Sequence, residues 1–136
     1  MSHRGSCQCG AVEVEITGEP AMAAHCHCGD CQKSTGAGHL SFAFYPADQV
    51  KVSGQLTRYV SKSDTGSQMT RSFCPVCGSR VLGESSGFPG VTGVALGILD
   101  DSDDIAPTMS FYAKRARKWD HVAEGIPAFD ELPPHE

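Results

Sequence analysis

Residues 25 to 34 read "HCHCGDCQKS", with three cysteines and two histidines crowded into the first part of the segment. Two further pairs flank it: Cys7 and Cys9 in "SCQCG", and Cys74 and Cys77 in "FCPVCGS". Cysteines at such spacing serve as disulfide staples, as dithiol redox couples or as metal ligands. An odd total of seven argues against a closed disulfide framework. A thioredoxin-like couple needs its Cys-x-x-Cys after a strand of a βαβ unit, and the sequence shows no such unit. Zinc accounts for all three clusters. Two thiolates two or three positions apart on a tight turn can converge on one ion, at Zn–S distances near ~2.3 Å. The turn residues are in place: Gly10 follows the first pair, Gly29 sits inside the triplet, and Pro75 and Gly78 bracket the last pair.

Ligand arithmetic then separates the roles. A structural zinc is closed by four protein ligands, whereas a catalytic one keeps three and leaves a position open. Seven sulfurs divide as four plus three. Cys26, Cys28 and Cys31 supply three ligands from one short loop. Cys7, Cys9, Cys74 and Cys77 then make a four-sulfur site that ties the N-terminal hairpin to the middle of the chain. Closing a loop of that length costs roughly 4 kcal/mol, against roughly 10–16 kcal/mol of apparent binding free energy from a structural zinc. A competing partition has His25, His27 or His39 complete the triplet, which gives a second closed site and no chemistry.

The elements that must hold these loops are strands. The chain has 136 residues, 40% of them hydrophobic, with 15 Gly and 8 Pro, as a turn-rich β protein with one modest core would. In "AVEVEIT" (11–17) Val12, Val14 and Ile16 alternate with Glu13 and Glu15, the pattern of a half-buried strand. Segments 39–45, 57–61, 69–73, 91–98 and 109–113 read as further strands, and only 30–36 reads as a short helical turn. The acidic "LDDSDD" (99–104) lacks the Gly and terminal Glu of a calcium loop and reads as a solvated turn. Residues 125–136 form a Pro-rich, extended tail. The expectation is a single all-β domain spanning 1–136. A net charge of −5 gives no global attraction to nucleic acid or an anionic membrane. With no apolar run long enough for a signal peptide or a membrane span, a cytoplasmic protein with reduced thiols is expected.

Taken together, "GSCQCGAVEVEI", "CHCGDCQKSTGAG", "FCPVCGS", "GILDD", "KRARKWDHV" and "GIPAFDELP" resemble the glutathione-dependent formaldehyde-activating enzyme (GFA) family, which includes centromere protein V. The resemblance implies a zinc-bearing β-tent of small antiparallel sheets. It also implies that Cys7, Cys9, Cys74 and Cys77 are structural zinc ligands and that Cys26, Cys28 and Cys31 are catalytic ones, the partition already reached by counting. The implied cofactors are two zinc ions per chain. The implied activity is that of a carbon–sulfur lyase, joining glutathione to formaldehyde as S-(hydroxymethyl)glutathione.

Three thiolates leave their zinc electron-rich and a poor generator of hydroxide, which disfavours hydrolysis. They suit an incoming thiol, because a coordinating thiol is deprotonated outright. Glutathione carries two carboxylates, so cations near the loop would help place it, and Lys33 and Arg71 are the candidates. One position departs from the family: where many relatives have His at the end of a Pro-x-x-His segment, this chain has "PTMS" and Ser110. The expected substrates are therefore a small thiol and an aldehyde, not necessarily the founding pair. The alternative is a zinc-stabilised module without catalysis, docking protein or nucleic acid through "AKRARKW" (113–119). A weaker third reading is redox sensing through the triplet.

Overall fold

The computed structural model describes residues 2–133. In chain order these form β1 (Ser2–Ser6), β2 (Glu13–Thr17), β3 (Met22–Cys26), helix α1 (Gly29–Thr35), β4 (Leu40–Pro46), β5 (Val50–Ser53), β6 (Thr57–Lys62), β7 (Gln68–Phe73), β8 (Arg80–Ser85), β9 (Val91–Ala95) and β10 (Ser110–Phe111). The fold is mainly β, with two sheets and one short helix. One sheet has the order β1-β2-β5, the other β10-β3-β4-β9-β8-β7-β6. Neighbours run antiparallel except β10 and β3, a short parallel pair that sets Phe111 beside Cys26. No helix among the described residues is long and apolar enough to cross a membrane.

The alternation in β2 does what its pattern dictates. Val14 and Ile16 point into the core while Glu13, Glu15 and Thr17 face out. There they meet Tyr45, Val81, Val94 and Leu96 of the larger sheet and its margin, so this cluster joins the two sheets. Each such Val or Ile stabilises the fold by roughly 1.5–3 kcal/mol through burial. Cys7 and Cys74 belong to this same cluster, with Cys77 packed against it. A second cluster gathers Ala24, Cys26, Cys31, Phe42, Phe111 and Tyr112, with Cys28 packed against it. Each cysteine group thus has its own piece of core behind it.

The expected strands at 11–17, 39–45, 57–61 and 69–73 are present with small shifts at their ends. Two are cut short. The strand expected over 91–98 ends at Ala95 and tightens into a 3-10 turn over Leu96–Ile98. The one expected over 109–113 is only Ser110–Phe111, because Tyr112 takes a left-handed backbone (φ 54°) ahead of a 3-10 turn over Ala113–Arg115. The tail lies along β10: Ser110 N donates to the Pro127 carbonyl and Phe129 N to the Ser110 carbonyl, both at 2.9 Å. Residues 134–136 of the expected tail lie outside the described residues.

β1 carries no apolar residue, yet it is held closely. Gly5 bridges to Leu99, and a Cβ on Gly5 would stand 2.1 Å from the Ile98 carbonyl oxygen. All the atoms it would meet are backbone of Ile98 and Leu99, which leaves nothing flexible to yield. Gly5→Ala is expected to destabilise the protein by about 3 kcal/mol, the upper part of the range for overpacking. Gly29→Ala, where nothing lies within 4 Å of the new Cβ, should change stability by no more than about 1 kcal/mol. Denaturant unfolding of the two variants in zinc-replete buffer checks the contrast.

Candidate metal and thiol site

The four-sulfur group is made of two turns facing each other. In the first, Gly10 (φ 83°) donates to the Cys7 carbonyl at 3.1 Å, and Val12 N donates to Cys7 Sγ at 3.2 Å. In the second, Gly78 (φ 78°) donates to the Cys74 carbonyl at 2.9 Å, while Val76 N and Cys77 N donate to Cys74 Sγ at 3.4 and 3.5 Å. Gln8 N donates to Ser79 Oγ at 3.0 Å and laces the turns together. Cys9 Sγ then lies 3.6 Å from Cys7 Sγ and 3.7 Å from Cys74 Sγ. All four ligand atoms fall within 4.8 Å of one another. Hydrogen bonds from Ser79, side chain before backbone, hold the Cys77 thiol at a pKa of about 5, already in the thiolate range.

The triplet sits where β3 hands over to α1. Cys26 ends the strand, Cys28 caps the helix and Cys31 lies in its first turn. Cys28 Sγ accepts the Cys31 backbone N–H at 3.2 Å, standing where a Ser or Asp oxygen usually caps. At the other end Gly36 (φ 72°) closes the helix by donating to the Gln32 carbonyl at 2.8 Å. The three sulfurs lie within 4.8 Å of one another. Hydrogen bonds from the Cys26 and Cys31 thiols bring Cys28 down to about 2. Donating hydrogen bonds to Cys28 and Cys31, with burial adding to the effect, pushes Cys26 strongly up. At Cys31 a hydrogen bond with Cys26 lowers the pKa, but the bond to Cys28 and burial outweigh it and leave the thiol at about 12. Burial and mutual repulsion oppose a second and third negative charge on the trio, and a cation among the sulfurs relieves both. Soft donors, mutual proximity and mutual repulsion together fit a zinc ion.

Against the helix that carries Cys31, with no cysteine in its own lining, is a cavity of about 340 Å³ lined by Ser34, Tyr59, Arg71, Phe73, Gly78 and Arg80, within the usual ~300–1,000 Å³ of small-molecule sites. Its two cations are buried in part and tied to the helix that carries Cys31. Arg80 Nη1 donates to Ser34 Oγ at 2.7 Å. Arg71 donates from Nη1 to Ser61 Oγ at 3.1 Å, and its Nη2 lies 3.8 Å from the Asp30 carboxylate. Arg71 is 7% exposed, and its Nε has no hydrogen-bond partner. The positive charge of Arg71 favours the Cys28 thiolate and that of Arg80 the Cys31 thiolate. Of the two cations expected from sequence, Arg71 stands in the cavity wall, whereas Lys33 is exposed on α1 and is not part of the lining. Sequence reasoning missed Arg80; its position three residues beyond Cys77 was the available signal.

A family model for the glutathione-dependent formaldehyde-activating enzymes (GFA) matches residues 2–115. The chain belongs to the GFA family. The family name implies a glutathione-dependent, formaldehyde-activating type of function in general, with small-molecule thiol and aldehyde substrates. A crystal structure of a Rhodobacter sphaeroides protein matches over 92% of this chain and 98% of that one, with 24% identity and a TM-score of 0.60, which shows a shared fold. No curated protein matches the chain.

Other motifs of this GFA protein fall away from the triplet. His27 and His39 group with Asp120 and not with the three sulfurs. Ser110, the residue at the family's His position, is fully buried with Oγ unpartnered. In the basic segment Lys114 pairs with Glu131, and Arg117 Nε donates to Gln32 Oε1 at 2.9 Å, so part of it is docked on α1 and the tail. A second concavity of about 380 Å³ is lined by residues of the three-stranded sheet, Arg4, Glu13, Glu15 and Lys51 among them.

Proposed function

We propose that the protein is a zinc-dependent carbon–sulfur lyase that adds a glutathione-type thiol to a small aldehyde, or reverses that addition, at Cys26, Cys28 and Cys31. In this reading Cys7, Cys9, Cys74 and Cys77 hold a second, purely structural zinc. One observation carries the proposal: a trio of convergent thiols with no fourth protein ligand grouped with it among the described residues, near a cavity lined by the buried Arg71 and the half-buried Arg80. Zinc on the trio supplies a position where a thiol is held as its thiolate. Overall the S–H bond breaks, an S–C bond forms, and the thiol proton ends on the former carbonyl oxygen, so no oxidant or reductant is required. Arg71 and Arg80, both in the cavity wall, bind the carboxylates of the thiol substrate. The half-buried Phe73 beside the buried Arg71 limits the water around that ion pairing and strengthens it. Binding through two fixed cations converts a bimolecular encounter into a positioned one.

Two-dimensional exchange NMR of formaldehyde with glutathione, with and without enzyme, tests the reading. Acceleration by the wild-type protein supports it; no acceleration with any of several small aldehydes opposes it. Arg80→Gln removes a charged partner worth roughly 1.5–3 kcal/mol, so KM for the thiol should rise about 10–100-fold. The same variant should leave KM unchanged for a thiol that lacks carboxylates.

A further inference from the structure

A second constellation, separate from the cysteine groups, includes His27 of the β3–α1 junction. His27 and His39 both turn Nδ1 toward one oxygen, Asp120 Oδ2, at 3.5 and 2.7 Å. The ring centroids are 5.0 Å apart, and the three ligand atoms fall within 4.8 Å of one another. A simple hydrogen-bonded clasp accounts for His39. It does not account for His27, which is 1% exposed and whose Nδ1 has no hydrogen-bond partner. The ring's other hydrogen bond goes to the Gly38 backbone, which leaves Nδ1 as the nitrogen with the bare lone pair. A lone pair aimed at a carboxylate oxygen across 3.5 Å is an arrangement completed by a cation. An imidazole held by a backbone carbonyl through its far nitrogen is also how metal-binding histidines are oriented.

We propose that His27, His39 and Asp120 form a third metal site, of imidazole–carboxylate type, which takes a borderline divalent transition ion such as Zn²⁺ independently of the cysteine groups. Two histidines and one carboxylate are a donor set for such ions and leave positions open to water. His39 joins by moving its proton from Nδ1 to Nε2, so the ring keeps its net charge. The ion would pin the segment carrying Asp120 to the residue that separates Cys26 from Cys28. Gly38 is part of the design: a Cβ there would stand 2.4 Å from the Asp120 carboxyl carbon, so Gly38→Ala displaces the carboxylate.

The test uses the full chain with its cysteine groups filled by zinc. Co²⁺ is then titrated in and followed by absorption. The expected result is one further equivalent with weak d–d bands and no thiolate-to-cobalt charge transfer. Asp120→Asn and His39→Ala should abolish it, and Gly38→Ala should weaken it about 10–100-fold. In parallel, Zn²⁺ added to the wild-type protein should move the ring ¹⁵N signals of His27 and His39 as directly bonded nitrogens. The NMR arm decides the matter even where a variant fails to fold. A wild-type protein that takes no further equivalent, variants that bind as the wild type does, or imidazole signals untouched by zinc would each overturn the site.

Discussion

Cys28→Ser is expected to abolish turnover, leaving only the uncatalysed rate of thiol addition, while the fold survives. The substitution separates two jobs of one sulfur. As a helix cap Cys28 accepts the Cys31 N–H, and a serine oxygen does this at least as well. As the site's most acidic thiol, brought down by bonds from Cys26 and Cys31, it has no substitute in serine, whose hydroxyl stays protonated. Zinc content should fall from two to one per chain in the cysteine groups. The thermal midpoint should move by no more than about 4 °C, the shift that roughly 1 kcal/mol gives in a chain of this size. Metal analysis, a melting curve and the exchange assay on one preparation check all three. A variant that keeps both ions, or one that turns over normally, contradicts the assignment of the triplet.

Removing the four-sulfur ion should have the opposite profile, a loss of the fold itself. Cys74 is completely buried and sits in the cluster that joins the two sheets. It meets Cys9 across 65 residues of chain. The zinc it would share contributes about 10–16 kcal/mol, whereas whole domains have net stabilities of only about 5–15 kcal/mol. The metal-free chain should therefore be unfolded at room temperature. Cys74→Ser should accumulate as an unfolded or aggregated protein even with zinc present. Circular dichroism and amide dispersion under a strong chelator should collapse together and return when zinc is restored. A chelated protein that keeps its amide dispersion would show that the apolar core alone suffices.

The cysteine partition was the most legible part of the molecule. Thiols at short spacing around Gly10, Gly29 and Gly78 can only turn inward together, and the structure gathers the seven sulfurs as four and three. Strands with clean alternation were legible for a similar reason: β2 buries Val14 and Ile16 because its residues alternate. β1 and β3 were not. Their buried positions are His3 and Gly5 in one, and Ala23, Ala24 and Cys26 in the other, residues that carry no hydrophobic signal. Tertiary pairing with β2 and β4 makes them strands. Arg80 and Asp120 were hidden for another reason. Each acquires its meaning from a partner far along the chain, Ser34 across 46 residues and His39 across 81, and periodicity carries no information at that range.

The central claim is a thiolate-bound ion whose last position belongs to the substrate. Cadmium-113 NMR of the cadmium-loaded protein reads it most directly, since the shift of each ion reports how many sulfurs surround it. The expectation is two thiolate-ligated resonances, one indifferent to glutathione and one displaced by it toward the four-sulfur range. Two resonances that both stand in the four-sulfur range before any thiol is added, and that ignore glutathione thereafter, would contradict it.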